Sequence, residues 1–144
     1  MNKIVVAAIT LSIAVWADFS RSSVGIVTDS TTGLQWQDAY EDNEGNVKVT
    51  SWRGAINYCE ALTLGGKYDW RLPNQKELLT LVDYGKFDPS INDVFQNTMS
   101  YDYWSSTTRV NATGQVWLVY FKSGSIDSPI KSASSYVRCV RGGQ

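Results

Sequence analysis

Apolar residues recur at intervals of three and four along one stretch of the chain, which predicts an amphipathic helix with one buried face. The members of this stripe are Trp52, Ala55, Ile56, Cys59 and Leu62. Thr50 or Ser51 precedes the stripe as an N-cap, and Gly65-Gly66 follows it as a stop signal. The spacing places Cys59 on the buried side of this helix.

A second, shorter helix is predicted after Pro73. Asn74 and Glu77 have the spacing of a capping box, with Asn in place of Ser or Thr. The apolar positions between 78 and 82 then form one face, and Gly85 ends the helix. Residues 86–99 are rich in turn-forming residues and are expected to form a long loop.

The other apolar segments have the composition of β-strands. Residues 24–28 and 34–36 flank a turn cluster and predict a hairpin. Residues 103–105, 116–121 and 136–140 predict three later strands. Helices early and strands late indicate an α+β domain.

The N-terminus has the pattern of a secretory signal peptide. A basic start at Lys3 precedes an apolar run that ends at Val15-Trp16-Ala17. We therefore expect residues 1–17 to be removed, 18–25 to form a flexible lead-in and 26–142 to form the domain. The protein would then be secreted or periplasmic, with no membrane span in the mature chain; an uncleaved N-terminal anchor is the alternative.

Two cysteines, Cys59 and Cys139, lie 80 positions apart. In an oxidising compartment an even count favours one disulfide; a catalytic thiol is the competing interpretation. The chain has no histidine, which excludes Ser-His-Asp and Cys-His catalysis and His-ligated metal sites. Its 13 basic and 14 acidic residues give no basic field, so a nucleic-acid partner is not expected. No cofactor and no metal are predicted.

Five motifs occur in an order and spacing that resemble the Lcl C-terminal domain family of bacteria. They are Asp29…Thr32-Gly33-Leu34-Gln35-Trp36, Trp52…Ala55…Tyr58-Cys59…Leu62, Asp69-Trp70-Arg71-Leu72-Pro73-Asn74…Glu77-Leu78, Tyr103-Trp104-Ser105-Ser106 and Tyr136-Val137-Arg138-Cys139-Val140-Arg141. The family takes its name from a collagen-like adhesin that binds sulfated glycosaminoglycans. The resemblance implies a secreted, non-enzymatic binding module for a glycan or another surface ligand. A structural or assembly component of the cell envelope is the alternative.

The pattern is also similar to the C-type lectin and formylglycine-generating-enzyme group. This implies a compact C-type-lectin-like domain, in which two helices pack on a small, twisted, mostly antiparallel sheet. In that group one cysteine lies in the first helix and its partner in the last strand, as Cys59 and Cys139 would. The lectin calcium and sugar motifs and the reactive cysteine pair of the enzymes are absent. An enzyme related to the formylglycine group is therefore the weakest of the three functions.

The third motif is expected to be structural. Trp70 would fill the core, Arg71 would pair with an acid such as Glu77 or Asp83, and Asn74 would cap the helix after Pro73. Trp104 in the fourth motif is likewise a core candidate. Around it, Tyr101 and Tyr103 combine aromatic faces with polar neighbours, as sugar sites do.

The last third of the chain is the part in which basic residues outnumber acidic ones. Between Gln96 and Gln144 its basic residues are Arg109, Lys122, Lys131, Arg138 and Arg141, against Asp102 and Asp127. We predict ligand contacts at Tyr101, Tyr103, Arg109, Lys122 and Lys131, which would form a patch for an anionic glycan. Scattered surface charge is the alternative.

An acidic loop offers a further possibility for a ligand. Its oxygen-bearing residues are Asp38, Glu41, Asp42, Glu44 and Asn46. They are of the type that binds calcium, but their spacing does not match an EF-hand. A solvated loop explains the same residues.

Overall fold

The computed structural model describes residues 3–11 and 18–143, and every helix and strand lies between positions 19 and 141. Residues 3–11 are exposed and have no regular structure. The rest of the predicted leader, with its cleavage motif at 15–17, lies outside the described residues. Neither helix within the described ranges has the length and apolar character needed to cross a lipid bilayer.

The fold is α+β, with two helices and two mostly antiparallel sheets. The first sheet has the strand order β1-β2-β3-β9. Its strands are β1 (Phe19–Arg21), β2 (Ile26–Asp29), β3 (Gln35–Gln37) and β9 (Val140–Arg141). The second sheet has the order β4-β8-β5-β6-β7, and its one parallel pair is β5 with β8. Its strands are β4 (Val49–Thr50), β5 (Asp102–Arg109), β6 (Ala112–Tyr120), β7 (Ser125–Asp127) and β8 (Ser135–Tyr136).

Both predicted helices form, and each begins at its predicted cap. Helix α1 (Trp52–Ala61) begins after Ser51, whose side chain accepts a hydrogen bond from the Gly54 N–H. Helix α2 (Gln75–Leu79) begins after Asn74, and the capping box with Glu77 is complete in both directions. These contacts satisfy N–H groups that a helix end otherwise leaves unpaired.

Two hydrophobic cores lie on opposite faces of the second sheet, because neighbouring residues of β5 point in opposite directions. Trp104 packs into the α1 core, and Tyr103 packs into the α2 core, which also includes Trp36. The Cys59–Cys139 disulfide lies within the α1 core, with a Cα–Cα distance of 5.4 Å. The predicted disulfide is therefore confirmed.

The third motif has the structural role predicted for it. Trp70 is buried and its indole N–H donates to the Leu64 carbonyl. The Arg71 guanidinium makes two 2.7 Å hydrogen bonds to the Glu77 carboxylate and a third bond to the Gly142 carbonyl. A bidentate pair of this kind fixes both side chains. It therefore ties α2 to the C-terminal segment.

Three local expectations differ from the structure. Helix α2 ends at Leu79 and not at Gly85, because Thr80 caps it. The predicted lead-in, 18–25, contains β1, which is held because Phe19 packs edge-on against Phe95 and Arg21 pairs with Asp38. The predicted strand 136–140 is divided between the two sheets. Tyr136 pairs with β4 and β5, whereas Val140 pairs with β3 and with Arg71.

Candidate functional site

Three clefts meet at one end of the second sheet, where β5 begins and β6 ends. Their volumes are about 340, 190 and 410 Å³. The first is lined by Tyr101 and Tyr120, the second by Tyr101 and Asp102, and the third by Asp102 and Tyr120. Each pair of clefts therefore shares one of these three residues. We call this region the three-cleft site.

Strand pairing creates the site. Asp102 on β5 lies opposite Tyr120 on β6, and Tyr120 lies opposite Ser125 on β7. Directly paired residues point to the same face of a sheet, so these three side chains form one row. The second cleft continues past the row to Ser134 and Ser135 of the neighbouring segment.

Tyr101 is the most exposed aromatic residue of the site, with 56% of its surface accessible. Its ring stacks on Tyr136, with a centroid distance of 6.0 Å and an interplanar angle of 22°. Stacking on a half-buried neighbour holds the Tyr101 ring while leaving much of it open to solvent. An exposed, supported aromatic surface beside polar groups is typical of a ligand site.

Carboxylates surround the tyrosines. Partial burial, and secondarily the nearby Asp127 carboxylate, raise the pKa of Asp102. Asp127 lines the third cleft with Asp102, and Asp88 lines the first cleft with Lys122. The site therefore has more acidic than basic side chains. It is rich in oxygen acceptors for hydroxyl groups and poorly suited to a sulfate or phosphate.

A buried ion pair holds the wall of the first cleft. The Arg138 guanidinium donates to Asp38 Oδ1 at 3.1 Å, to the Asn97 carbonyl and to Thr98 Oγ1. Both charged side chains are fully buried. Residues 98–100 form one wall of that cleft. Arg138 thus acts inside the domain and does not contribute to a surface patch.

The predicted ligand residues fall into three groups. Tyr101 and Lys122 lie together at the three-cleft site. Tyr103 is fully buried, and its hydroxyl accepts a hydrogen bond from the Met99 N–H, so it is a core residue that supports the cleft wall. Arg109 is at the other end of β5, about 25 Å away for a strand of this length. Lys131 is also distant, because its N–H bonds Gly114 near the start of β6.

Both distant cations pack over tryptophans. The Arg109 guanidinium is 5.5 Å from the Trp117 ring, and the Lys131 ammonium is 4.3 Å from the Trp52 ring. Arg109 also donates to Gln115 and Ser128. The expected single patch of Arg109, Lys122 and Lys131 therefore does not form, because β5 and β6 separate its members.

The acidic loop does not present a set of calcium ligands. The Asp38 carboxylate is buried and accepts bonds from Arg21, Gln96, Asn97 and Arg138. Asp42 accepts a hydrogen bond from the Tyr58 hydroxyl. Within residues 3–11 and 18–143, no group of three or more acidic or cysteine side chains is arranged to hold a metal ion.

Sequence reasoning missed four residues of the site: Asp102, Tyr120, Asp127 and Tyr136. Each belongs to a different strand, so no local motif contains them together. One signal was available, because Asp102 lies between two tyrosines at the start of a predicted strand. A carboxylate in that position is a candidate for the rim of an aromatic site.

Comparison with known proteins identifies a family. No curated protein matches the chain in sequence. The family model of the Lcl C-terminal domain matches residues 25–141, a range that runs from just before β2 to the end of β9 and includes both cysteines and the whole three-cleft site. Since this match covers most of the sequence, the chain belongs to the Lcl C-terminal domain family.

Proposed function

We propose that this protein is a non-enzymatic binding module that recognises a glycan at the three-cleft site. The observation that carries the proposal is the exposed Tyr101 ring, supported by Tyr136 and surrounded by clefts with carboxylate and hydroxyl side chains. The C–H face of a sugar ring packs on an aromatic ring, while its hydroxyl groups donate to carboxylates. The three-cleft site offers both kinds of contact where β5 begins and β6 ends.

The ligand class is an uncharged glycan. Asp88, Asp102 and Asp127 line the clefts, against the single ammonium group of Lys122. Such a balance repels sulfate and carboxylate groups, so a sulfated polymer is disfavoured at this position. A neutral sugar avoids that cost and uses the acids as hydrogen-bond acceptors.

We place the protein outside the cytoplasm, where it would act in adhesion to a glycan-bearing surface. The leader-like N-terminus and the Cys59–Cys139 disulfide support this location. The clefts are open to solvent, and within the described residues none of the hydroxyl groups that line them is hydrogen-bonded to a carboxylate, as an activated nucleophile would be. This arrangement favours binding over catalysis.

A glycan array with two matched variants tests the proposal. Wild type should bind one or more neutral glycans at both low and physiological salt, because uncharged contacts are insensitive to screening. Tyr101→Ala should weaken that binding at least about tenfold, which corresponds to about 1.4 kcal/mol.

Tyr68→Ala is the control, because Tyr68 is 79% exposed and lies away from the three clefts. It should bind like wild type. Failure of folded wild type to bind any neutral glycan, or an equal loss in both variants, would contradict the proposal.

A further inference from the structure

Exposed aromatic residues continue beyond the three-cleft site, along the loop that follows α2. Tyr84 is 75% exposed and Phe87 is 68% exposed. Both are large aromatic side chains that the fold leaves mostly exposed to solvent. Contiguous exposed aromatic surface next to a cleft is typical of an interaction surface.

This loop is attached to the end of β6 by main-chain hydrogen bonds. The Asp88 N–H donates to the Lys122 carbonyl at 2.9 Å, and the Ser90 N–H donates to the Phe121 carbonyl at 2.7 Å. The Ser90 hydroxyl also donates to the Lys122 carbonyl. An ion pair between Lys86 and Asp93 closes the base of the loop at 2.6 Å. The two aromatic residues are therefore carried by an anchored segment.

Tyr84 lies against a glycine that leaves room for it. Gly124 follows β6 with a φ of +81°, and a Cβ there would collide with Val82 and lie 3.0 Å from Cε1 of Tyr84. A side chain at this position would displace the ring. The glycine thus lets the Tyr84 ring lie close over the turn between β6 and β7.

Lys122 connects the loop to the first cleft. Its ammonium group is 5.9 Å from the Phe87 ring, and the same side chain lines the cleft that contains Tyr101. The series is Tyr101, Lys122, Phe87 and Tyr84: these contacts link the first three, and Tyr84 lies three positions before Phe87 on the same loop. We call this series the aromatic track.

We propose that the ligand is an extended neutral polysaccharide chain, with one sugar unit at the three-cleft site and further units along the aromatic track. This inference rests on the proposed function. A single terminal sugar would contact Tyr101 and leave Phe87 and Tyr84 without a role. A chain would place successive ring faces on successive aromatic side chains, and the Asp88 carboxylate beside Lys122 keeps the track close to neutral.

The test is titration calorimetry with neutral gluco- and manno-oligosaccharides of one to six units. Wild type should bind the hexasaccharide of at least one series at least tenfold more tightly than its monosaccharide. Phe87→Ala should remove this gain while leaving the affinity for the monosaccharide, which occupies only the three-cleft site, unchanged. Tyr68→Ala, the exposed control away from the track, should keep the gain.

The outcomes separate the two proposals. If oligosaccharides of all lengths bind with equal affinity and Tyr101→Ala still loses that binding, the proposed aromatic track is wrong and the proposed three-cleft site is supported. Absence of binding in both series at every length, with an apolar peptide bound at Phe87 instead, would overturn both. Persistence of the length dependence in Phe87→Ala would overturn the track alone.

Discussion

Removal of the Asp38 carboxylate should be among the most destabilising single changes in this domain. That group accepts four hydrogen bonds, from Arg21 Nε at 2.7 Å, Gln96 N at 2.9 Å, Asn97 N at 3.0 Å and Arg138 Nη1 at 3.1 Å. In Asp38→Ala the Arg138 guanidinium stays fully buried without its counter-charge, and the backbone N–H groups of Gln96 and Asn97 lose their acceptor.

The size of the effect follows from these losses. Breaking a buried pair by removing one partner costs about 3–5 kcal/mol, most of it from the charge left behind. At about 2.1 cal/mol/K of unfolding entropy per residue, a folded region the size of residues 18–143 should lose about 10–20 °C in Tm. That loss is a large part of the roughly 5–15 kcal/mol that stabilises a typical domain.

Thermal and urea unfolding of both proteins measure this loss. Asp93→Ala is the matched control, since it removes an acid from the Lys86 pair whose carboxylate side is 90% exposed. Exposed pairs contribute less than about 1 kcal/mol, so the control should lose no more than about 4 °C. An Asp38→Ala variant that melts within that same range would show that Arg138 finds another partner or water, and that Asp38 is not needed to stabilise its charge.

Three further predictions concern the core, the disulfide and pH. Trp70→Ala should destabilise the fold by about 3–5 kcal/mol in urea unfolding, because the ring is buried and its N–H is bonded; a loss below about 1 kcal/mol would contradict a core role. Native mass spectrometry should find no free thiol, and reduction should cost roughly 4–5 kcal/mol for a separation of 80 residues; two alkylatable cysteines in the native protein would contradict it. The raised pKa of Asp102 means that protonation favours the folded state, so stability falls as pH rises through the raised pKa. Asp102→Asn should therefore melt higher than wild type at pH 7, with the difference shrinking towards pH 3 and a smaller gain for Asp127→Asn; an unchanged difference across pH would contradict the assignment.

Local sequence signals predicted the elements that local chemistry determines. The capping box of Asn74 and Glu77 and the Ser51 cap lie within a few residues of the helices they begin, so both helix starts could be placed. The disulfide could be predicted from the cysteine count and the family resemblance. The pairing of Arg71 with Glu77 was also accessible, because only six positions separate them.

The features that could not be predicted from the sequence depend on contacts between residues that lie far apart in the chain. Residues 136–140 are mostly of the types that favour strands. The Arg138 side chain nevertheless points into the core, where it pairs with Asp38, 100 positions earlier, and the segment divides between two sheets. Tyr101 and Tyr103 have the same local chemistry. They differ only because the α2 core covers Tyr103 and leaves Tyr101 exposed, so Tyr101 is a ligand candidate and Tyr103 is a buried residue. The three-cleft site draws on four strands, so the sequence predicted only Tyr101 and Lys122 among its residues.

Chemical-shift mapping of the ¹⁵N-labelled domain with a neutral hexasaccharide locates the ligand site. Amide shifts should concentrate at Tyr101, Asp102 and Tyr120, and extend to Phe87. The amides of Arg109 and Gly114, near the opposite end of the second sheet, should stay unchanged. Shifts centred on Arg109 and Gly114, or none at any residue with saturating sugar, would contradict a ligand site at the three clefts.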